Sequence, residues 1–288
     1  MSGKRMKNLG KVFKELRESR KTSLRKATGG RFSASLLSRF ENGQSEISAQ
    51  KLFAALENIH ANVEELLFLA RDFHHDANSE FRNQLFKAVN PKDLTSLHTL
   101  YQREYQKIPF SKDKQEHILN AILIKSYMKA IDETITLTSE EERVLHDYLF
   151  SVEIWGLYEL SFFSSCSPLL SVQLLTKYTR EMLRKSDFLQ GVGKNRNIMH
   201  TLLLNGFMAC IEIDDFTNAL YFKKQIEKNF FEENETYFRI VYLWAEGLLD
   251  SKQGRVEDGQ RKMEDAVRIF EMIGCSKSAD YYRSAIEC

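Results

Sequence analysis

Arg31-Phe32-Ser33-Ala34-Ser35-Leu36-Leu37-Ser38-Arg39-Phe40-Glu41-Asn42-Gly43-Gln44-Ser45-Glu46-Ile47-Ser48 holds a helix start, a buried stripe and a helix stop in 18 residues. Ser33 is placed to cap a helix whose inward positions are Leu36, Leu37 and Phe40, the spacing of one buried stripe. The opposite face is left with Ala34, Ser35, Ser38 and Arg39: small groups, hydroxyls and one guanidinium. Gly43 can end the helix in the left-handed conformation, and Ser48 can cap the next one. A short helix that is apolar behind and small and polar in front fits a major groove without bulk to push it out.

Outward from this stretch the pattern stays helical. Leu9, Val12, Phe13 and Leu16 predict a helix over residues 9–20, decorated by Lys11, Lys14, Arg17 and Arg20. Thr22 or Ser23 caps a short second helix holding Leu24 and Ala27 and stopped by Gly29-Gly30. Ser48 starts a fourth that buries Leu52, Phe53 and Leu56. Asn62, with Glu65 three residues on, caps a fifth with Leu66, Leu67 and Leu69 turned inward. Residues 1–70 are thus a five-helix helix-turn-helix domain, and the polar run at 71–78 is a linker.

Charge supports this division. Residues 1–39 hold 12 Lys and Arg against only Glu15 and Glu18, although the whole chain of 288 residues is net +1. A basic head on a mildly acidic body is the footprint of phosphate contact by the head alone. Lys11, Lys14, Arg17, Arg31 and Lys51 are the candidate phosphate contacts; Ser33, Ala34, Ser35, Ser38 and Arg39 are the candidates for base edges. The alternative for Arg39 is a bracing ion pair with Glu41 or Glu46.

Residues 79–288 read as one helix after another, at about 79–88, 93–106, 112–132, 139–163, 168–186, 195–213, 216–230, 235–253, 256–273 and 276–288. Asp214-Asp215-Phe216-Thr217-Asn218-Ala219 overlays Gly254-Arg255-Val256-Glu257-Asp258-Gly259 at an offset of 40 residues. Helical hairpins at such a period cannot bury their apolar faces alone, so they stack into a tetratricopeptide-like array with a concave surface. The fold class is therefore all-α.

At this point the motifs carry a resemblance. Leu9-Gly10, Leu16-Arg17, Ser33, Ser38-Arg39-Phe40-Glu41-Asn42-Gly43, Glu46-Ile47-Ser48 and Leu52 resemble the Cro/repressor-type helix-turn-helix family. The run from Ser38 to Gly43 followed by Ser45-Glu46-Ile47-Ser48 resembles, more particularly, the Rgg (MutR) regulators, peptide-pheromone-sensing proteins of Gram-positive bacteria. The resemblance implies a cytoplasmic, homodimeric transcription regulator for quorum sensing. Its partners would be double-stranded promoter DNA, a short hydrophobic signalling peptide in the groove of the array, and RNA polymerase. Some members place a cysteine directly after the Glu-Ile-Ser of the head and join subunits through it; here that position is Ala49, and no covalent head-to-head link is implied.

An extended peptide leaves its own backbone amides unpaired, so its receptor needs groups that both donate and accept. Asn195, Asn197, Asn205 and Asn218 are available. The resemblance, in which first-of-pair helices line the groove, implies Asn205 as the leading candidate, with a residue capping or bracing a neighbouring hairpin as the alternative. Trp155, Tyr158, Phe222, Tyr237 and Trp244 are candidate apolar pockets, with repeat core as the alternative, and Arg82 is a candidate for a carboxylate. His146, beside Asp147 and Tyr148, is a candidate modulator or a plain surface histidine; His74-His75 falls in the linker. Cys166, Cys210, Cys275 and Cys288 have no metal-ligand spacing and read as reduced thiols, with no cofactor or metal implied. The longest apolar runs, such as Ile118 to Ile124, are too short for a membrane span. No Walker loop, GxSxG or HExxH occurs, and Gly191-Val192-Gly193-Lys194 follows no strand, so an enzyme is not expected. The rival reading is a tetratricopeptide-like adaptor that holds a protein partner, with the head secondary.

Overall fold

The computed structural model describes residues 7–70, 81, 84–85, 87–89, 93–186, 193–228 and 230–286, and these are helical or loop with no strand. The chain divides at Asn90/Pro91 into two compact units. The expected linker at 71–78, with His74 and His75, lies outside the described residues, as does Arg82.

The first unit holds α1 (Leu9–Ser19), α2 (Leu24–Thr28), α3 (Ala34–Glu41), α4 (Ala49–Asn58) and α5 (Val63–Ala70). Short polar side chains start each helix by accepting an otherwise orphaned N–H. Ser33 Oγ accepts from Leu36 N at 3.2 Å, Ser48 Oγ from Lys51 N at 3.4 Å, and Asn62 with Glu65 closes a reciprocal capping box. Gly43 sits at φ 70°, the left-handed conformation that ends α3. Val12, Phe13, Leu37, Phe40, Ala55 and Leu66 form the centre of one core. Leu36 is only half-buried, and Phe53, expected inside, is 47% exposed because Ala54, Ala55 and Leu56 supply the inward face of α4. Gly10 marks the closest approach, since a Cβ there would lie 1.9 Å from the Phe40 carbonyl oxygen.

The second unit holds α6 (Leu94–Lys107), α7 (Lys114–Lys129), α8 (Ser139–Ser151), α9 (Leu157–Cys166), α10 (Val172–Ser186), α11 (Gly193–Glu212), α12 (Phe216–Lys228), α13 (Thr236–Lys252), α14 (Val256–Met272) and α15 (Ser276–Ser284). Successive helices α6/α7, α11/α12, α13/α14 and α14/α15 pack on each other. The overlaid turns share one geometry. Asp214 and Gly254 are both left-handed, at φ 60° and 89°, and the next N–H reaches back five residues each time: Asp215 N to Cys210 O at 2.8 Å, and Arg255 N to Asp250 O at 2.9 Å. Gly274 with Cys275 repeats it a third time, Cys275 N bonding Phe270 O at 2.8 Å. Gly247 and Gly259 let α13 and α14 touch backbone to backbone: a Cβ on Gly247 would meet Gly259 O at 2.6 Å.

The single helix expected over 139–163 is two. Residues 152–156 break it because α8's last carbonyls find other partners. Leu149 O accepts from Trp155 Nε1 at 3.1 Å and from Lys185 Nζ at 3.2 Å, and Phe150 O accepts from Lys185 Nζ at 2.8 Å. Upstream, the fully buried Glu141 joins three helices. It accepts from Tyr101 and Tyr105 hydroxyls at 3.0 Å and from Lys125 Nζ at 2.6 Å. Burial works to raise its pKa, but these donors and the Thr138 N–H hold the carboxyl below its ordinary value.

Candidate nucleic-acid interface and ligand groove

The outward face of α3 follows from its capping and its core. With Leu37 and Phe40 buried, Ser33, Ser35 and Arg39 are exposed, and Ala34 and Ser38 half-buried. The bracing alternative for Arg39 is not what forms: among the described residues Arg39 makes no ion pair. Glu41 is taken instead by Arg17. Arg17 Nε and Nη2 bond Glu41 Oε1 and Oε2 at 2.6 and 2.7 Å, Nη1 bonds Thr22 O at 2.8 Å, and the side chain is buried. Hydrogen bonding to Glu41 raises the pKa of the guanidinium further.

Arg17 is thus withdrawn from the expected phosphate contacts: its fork is spent inside the head, joining α1 to α3. The sequence held a signal for this, because Arg17 stands four residues after Phe13 on the buried stripe. Lys11 is exposed and Lys14 and Lys51 are half-buried, so these charges remain at the surface. Arg31 is exposed and lies 3.7 Å from Glu57, a solvated pair worth little.

In the array, three expected pocket residues prove to be core. Trp155 and Phe222 are fully buried and Trp244 is 4% exposed. Trp155 packs edge-on to Phe163 and its indole caps α8; Phe222 fills the space opposite Gly206, where a Cβ would meet its ring at 2.5 Å; Trp244 tilts against Tyr282 at 5.2 Å. None of the three lines an open groove. Tyr158 and Tyr237 remain partly open, at 40% and 49% exposure.

The asparagines also separate. Asn195 is buried with its Oδ1 unpaired, and Asn218 is engaged by Arg180 at 3.1 Å and by Asp215 at 2.7 Å. Asn197 and Asn205 are exposed on α11, and neither amide is hydrogen-bonded among the described residues. They lie eight residues apart with Thr201 midway, so the three fall along one stripe at about 6 Å intervals. An extended peptide repeats every ~6.7 Å per two residues, a near match.

Asn197 and Tyr237 also line a cleft of about 690 Å³ with Arg196, Glu232, Asn234 and Phe238. Here Arg196 binds Glu235 through both oxygens, at 2.9 and 3.1 Å, which holds Glu235 below its ordinary pKa. Behind them His200 is caged by Phe231 and Phe238, ring centroids 4.7 and 5.5 Å away. Burial pushes the His200 imidazole down to about 4, against the pull of Glu235 at 3.5 Å, so it is neutral in ordinary conditions. No local pattern marks His200, because Phe231, Glu235 and Phe238 lie more than 30 residues further along the chain. His146 is a surface histidine stacked on Phe150 at 4.5 Å and bonded to Lys177 at 3.3 Å. Cys166 and Cys210 are buried free thiols. Among the described residues no His, Cys, Asp and Glu cluster could hold a metal, and no helix is long and apolar enough to cross a membrane.

A small helix-turn-helix head joined to a stacked helical array defines a class of two-part transcription regulators. Residues 98–284 match the family model "HTH-type transcriptional regulator Rgg, C-terminal domain", and the chain belongs to this family. The Streptococcus dysgalactiae SHP pheromone receptor Rgg2, in a cysteine-to-serine form, superposes with a TM-score of 0.84 at 27% identity, over 98% of this chain and 99% of that one. A putative transcriptional regulator from Listeria monocytogenes EGD-e has a TM-score of 0.80 at 20% identity, over 98% and 97% of the two chains. The PrgX/cCF10 complex has 0.72 at 16%, over 97% and 98%. The last two share the fold.

Proposed function

We propose that this Rgg-family regulator binds promoter DNA through the outward face of α3 and is controlled by a short hydrophobic peptide lying along α11 in the array. The observation that carries this reading is the likeness of nearly the whole chain to an SHP pheromone receptor. The free polar face of α3 and the open Asn197–Asn205 stripe agree with it. Lys11, Lys14, Arg31 and Lys51 neutralise phosphates; Ala34, Ser35, Ser38 and Arg39 face the bases, with Ser33 capping the helix beside them. Asn205 and Asn197 pair with peptide backbone, and Tyr158 and Tyr237 receive peptide side chains. The protein acts as a homodimer in the cytoplasm, because two heads on paired half-sites multiply a modest single-head affinity, and the complex communicates with RNA polymerase.

Control is linkage. A peptide that binds one arrangement of the paired arrays better shifts the population toward it, and so changes how the two heads meet the operator. The test is a promoter-fragment gel shift with parent, Ser35→Arg and Arg39→Ala proteins. A salt-sensitive shift in the parent that both variants lose supports the reading. A parent that retards no promoter DNA, while holding a stoichiometric protein partner through its array, refutes it in favour of an adaptor.

A further inference from the structure

A recognition helix chooses bases only with side chains that its own protein has not already used. On α3 that requirement removes most of the field. Ser33 Oγ is committed to the Leu36 N–H as helix cap. Asn42 folds its amide back onto Ser38 O at 2.9 Å, which takes away the one carboxamide at the end of α3 that could pair with adenine. Glu41, which could accept from cytosine, is buried against Arg17. What stays free is the Ala34 methyl, the hydroxyls of Ser35 and Ser38, and Arg39.

These free groups differ in what they can distinguish. A serine hydroxyl donates or accepts and so tolerates every base. Arg39 carries a rigid fork of parallel N–H donors and is exposed one turn beyond Ser35, and its guanidinium has no hydrogen bond or ion pair among the described residues to hold it back. Two adjacent acceptors in the major groove, O6 and N7, are offered by guanine alone. Resting on the reading of α3 as the DNA-contacting face, we propose that Arg39 reads guanine, and that one G·C pair per half-site is the base choice made by this helix. Bases opposite Ala34, Ser35 and Ser38 are selected weakly, and operator spacing and DNA shape supply the rest.

The test is selection of bound duplexes from a random-sequence library by the full-length parent and by Arg39→Gln, whose exposed site makes the change harmless to the fold. The parent enriches a half-site with one invariant guanine. Replacing that guanine alone by 7-deazaguanine, which keeps base pairing but lacks the N7 acceptor, lowers affinity about tenfold. Arg39→Gln moves the preference at that position from guanine to adenine, whose N7 and N6 match a carboxamide, and leaves the other positions unchanged. If Arg39→Gln enriches the same guanine, or weakens all sequences equally, Arg39 serves the backbone and the inference fails while DNA binding stands. If the parent enriches no sequence, the DNA-binding reading falls and this inference with it.

Discussion

Arg17 and Glu41, 24 residues apart in sequence, form a two-pronged buried ion pair, Nε to Oε1 at 2.6 Å and Nη2 to Oε2 at 2.7 Å. Through it the first helix fixes the third, whose other face carries Ser35 and Arg39. Removing one partner strands a charge inside the head, which costs about 3–5 kcal/mol. Arg17→Met and Glu41→Leu should each unfold the head or lower its denaturant midpoint sharply. The double variant should recover much of the loss, because no unpaired charge is left behind. A double variant that loses the sum of the two single losses would contradict the account.

The surface lysines should behave differently. Lys11→Ala, Lys14→Ala and Lys51→Ala touch no core and should leave stability within about 0.5 kcal/mol. Each true phosphate contact among them should weaken binding to all DNA sequences alike and reduce the magnitude of the log K against log salt slope by about 1. Titrations at several salt concentrations read this directly. An unchanged slope in all three variants would remove these residues from the interface.

The local features were the legible ones. Caps at Ser33, Ser48 and Asn62, the left-handed Gly43 and the shared turn at Asp214 and Gly254 depend on a few neighbouring residues, and the structure has them as the sequence implies. What failed were questions of partner. An aromatic at helical spacing is the same letter whether it faces a groove or a neighbouring helix, so Trp155, Phe222 and Trp244 were indistinguishable from Tyr158 and Tyr237 until packing separated them. The break of the 139–163 helix has the same origin, since it depends on Lys185, some 35 residues away.

His200 makes the array sensitive to acid. Its pKa falls from 6.5 to about 4 on folding, so below 6.5 the unfolded chain binds more protons than the folded one. Stability is therefore intact above pH 6.5 and falls by about 1.4 kcal/mol per pH unit below it, until the folded imidazole itself protonates. The depressed pKa of Glu235 works in the same direction lower down, its contribution being lost as pH falls through its folded value. Melting curves between pH 7 and 5 should show the decline in the parent and a flatter profile in His200→Leu. Parallel profiles would mean that the His200 pKa does not fall on folding.

Asn205 and Trp244 separate recognition from packing. Asn205 is exposed and free of hydrogen bonds among the described residues, so Asn205→Ala should leave the melting temperature in place while weakening peptide binding about fivefold or more. Trp244→Ala empties a core site and should cost about 3–5 kcal/mol in stability. Calorimetry on both variants, with fluorescence anisotropy of a labelled hydrophobic octapeptide selected on the parent, checks the pair. Unaltered peptide affinity in Asn205→Ala would clear α11 of that role.

The reciprocal titration of operator and peptide bears on coupling between the two units most directly. Operator affinity is measured with and without saturating selected octapeptide, and peptide affinity with and without saturating operator. Linkage requires one factor, different from unity and the same in both directions, reduced in Asn205→Ala. A factor of one in the parent, with both ligands bound, would mean that the array does not control the head.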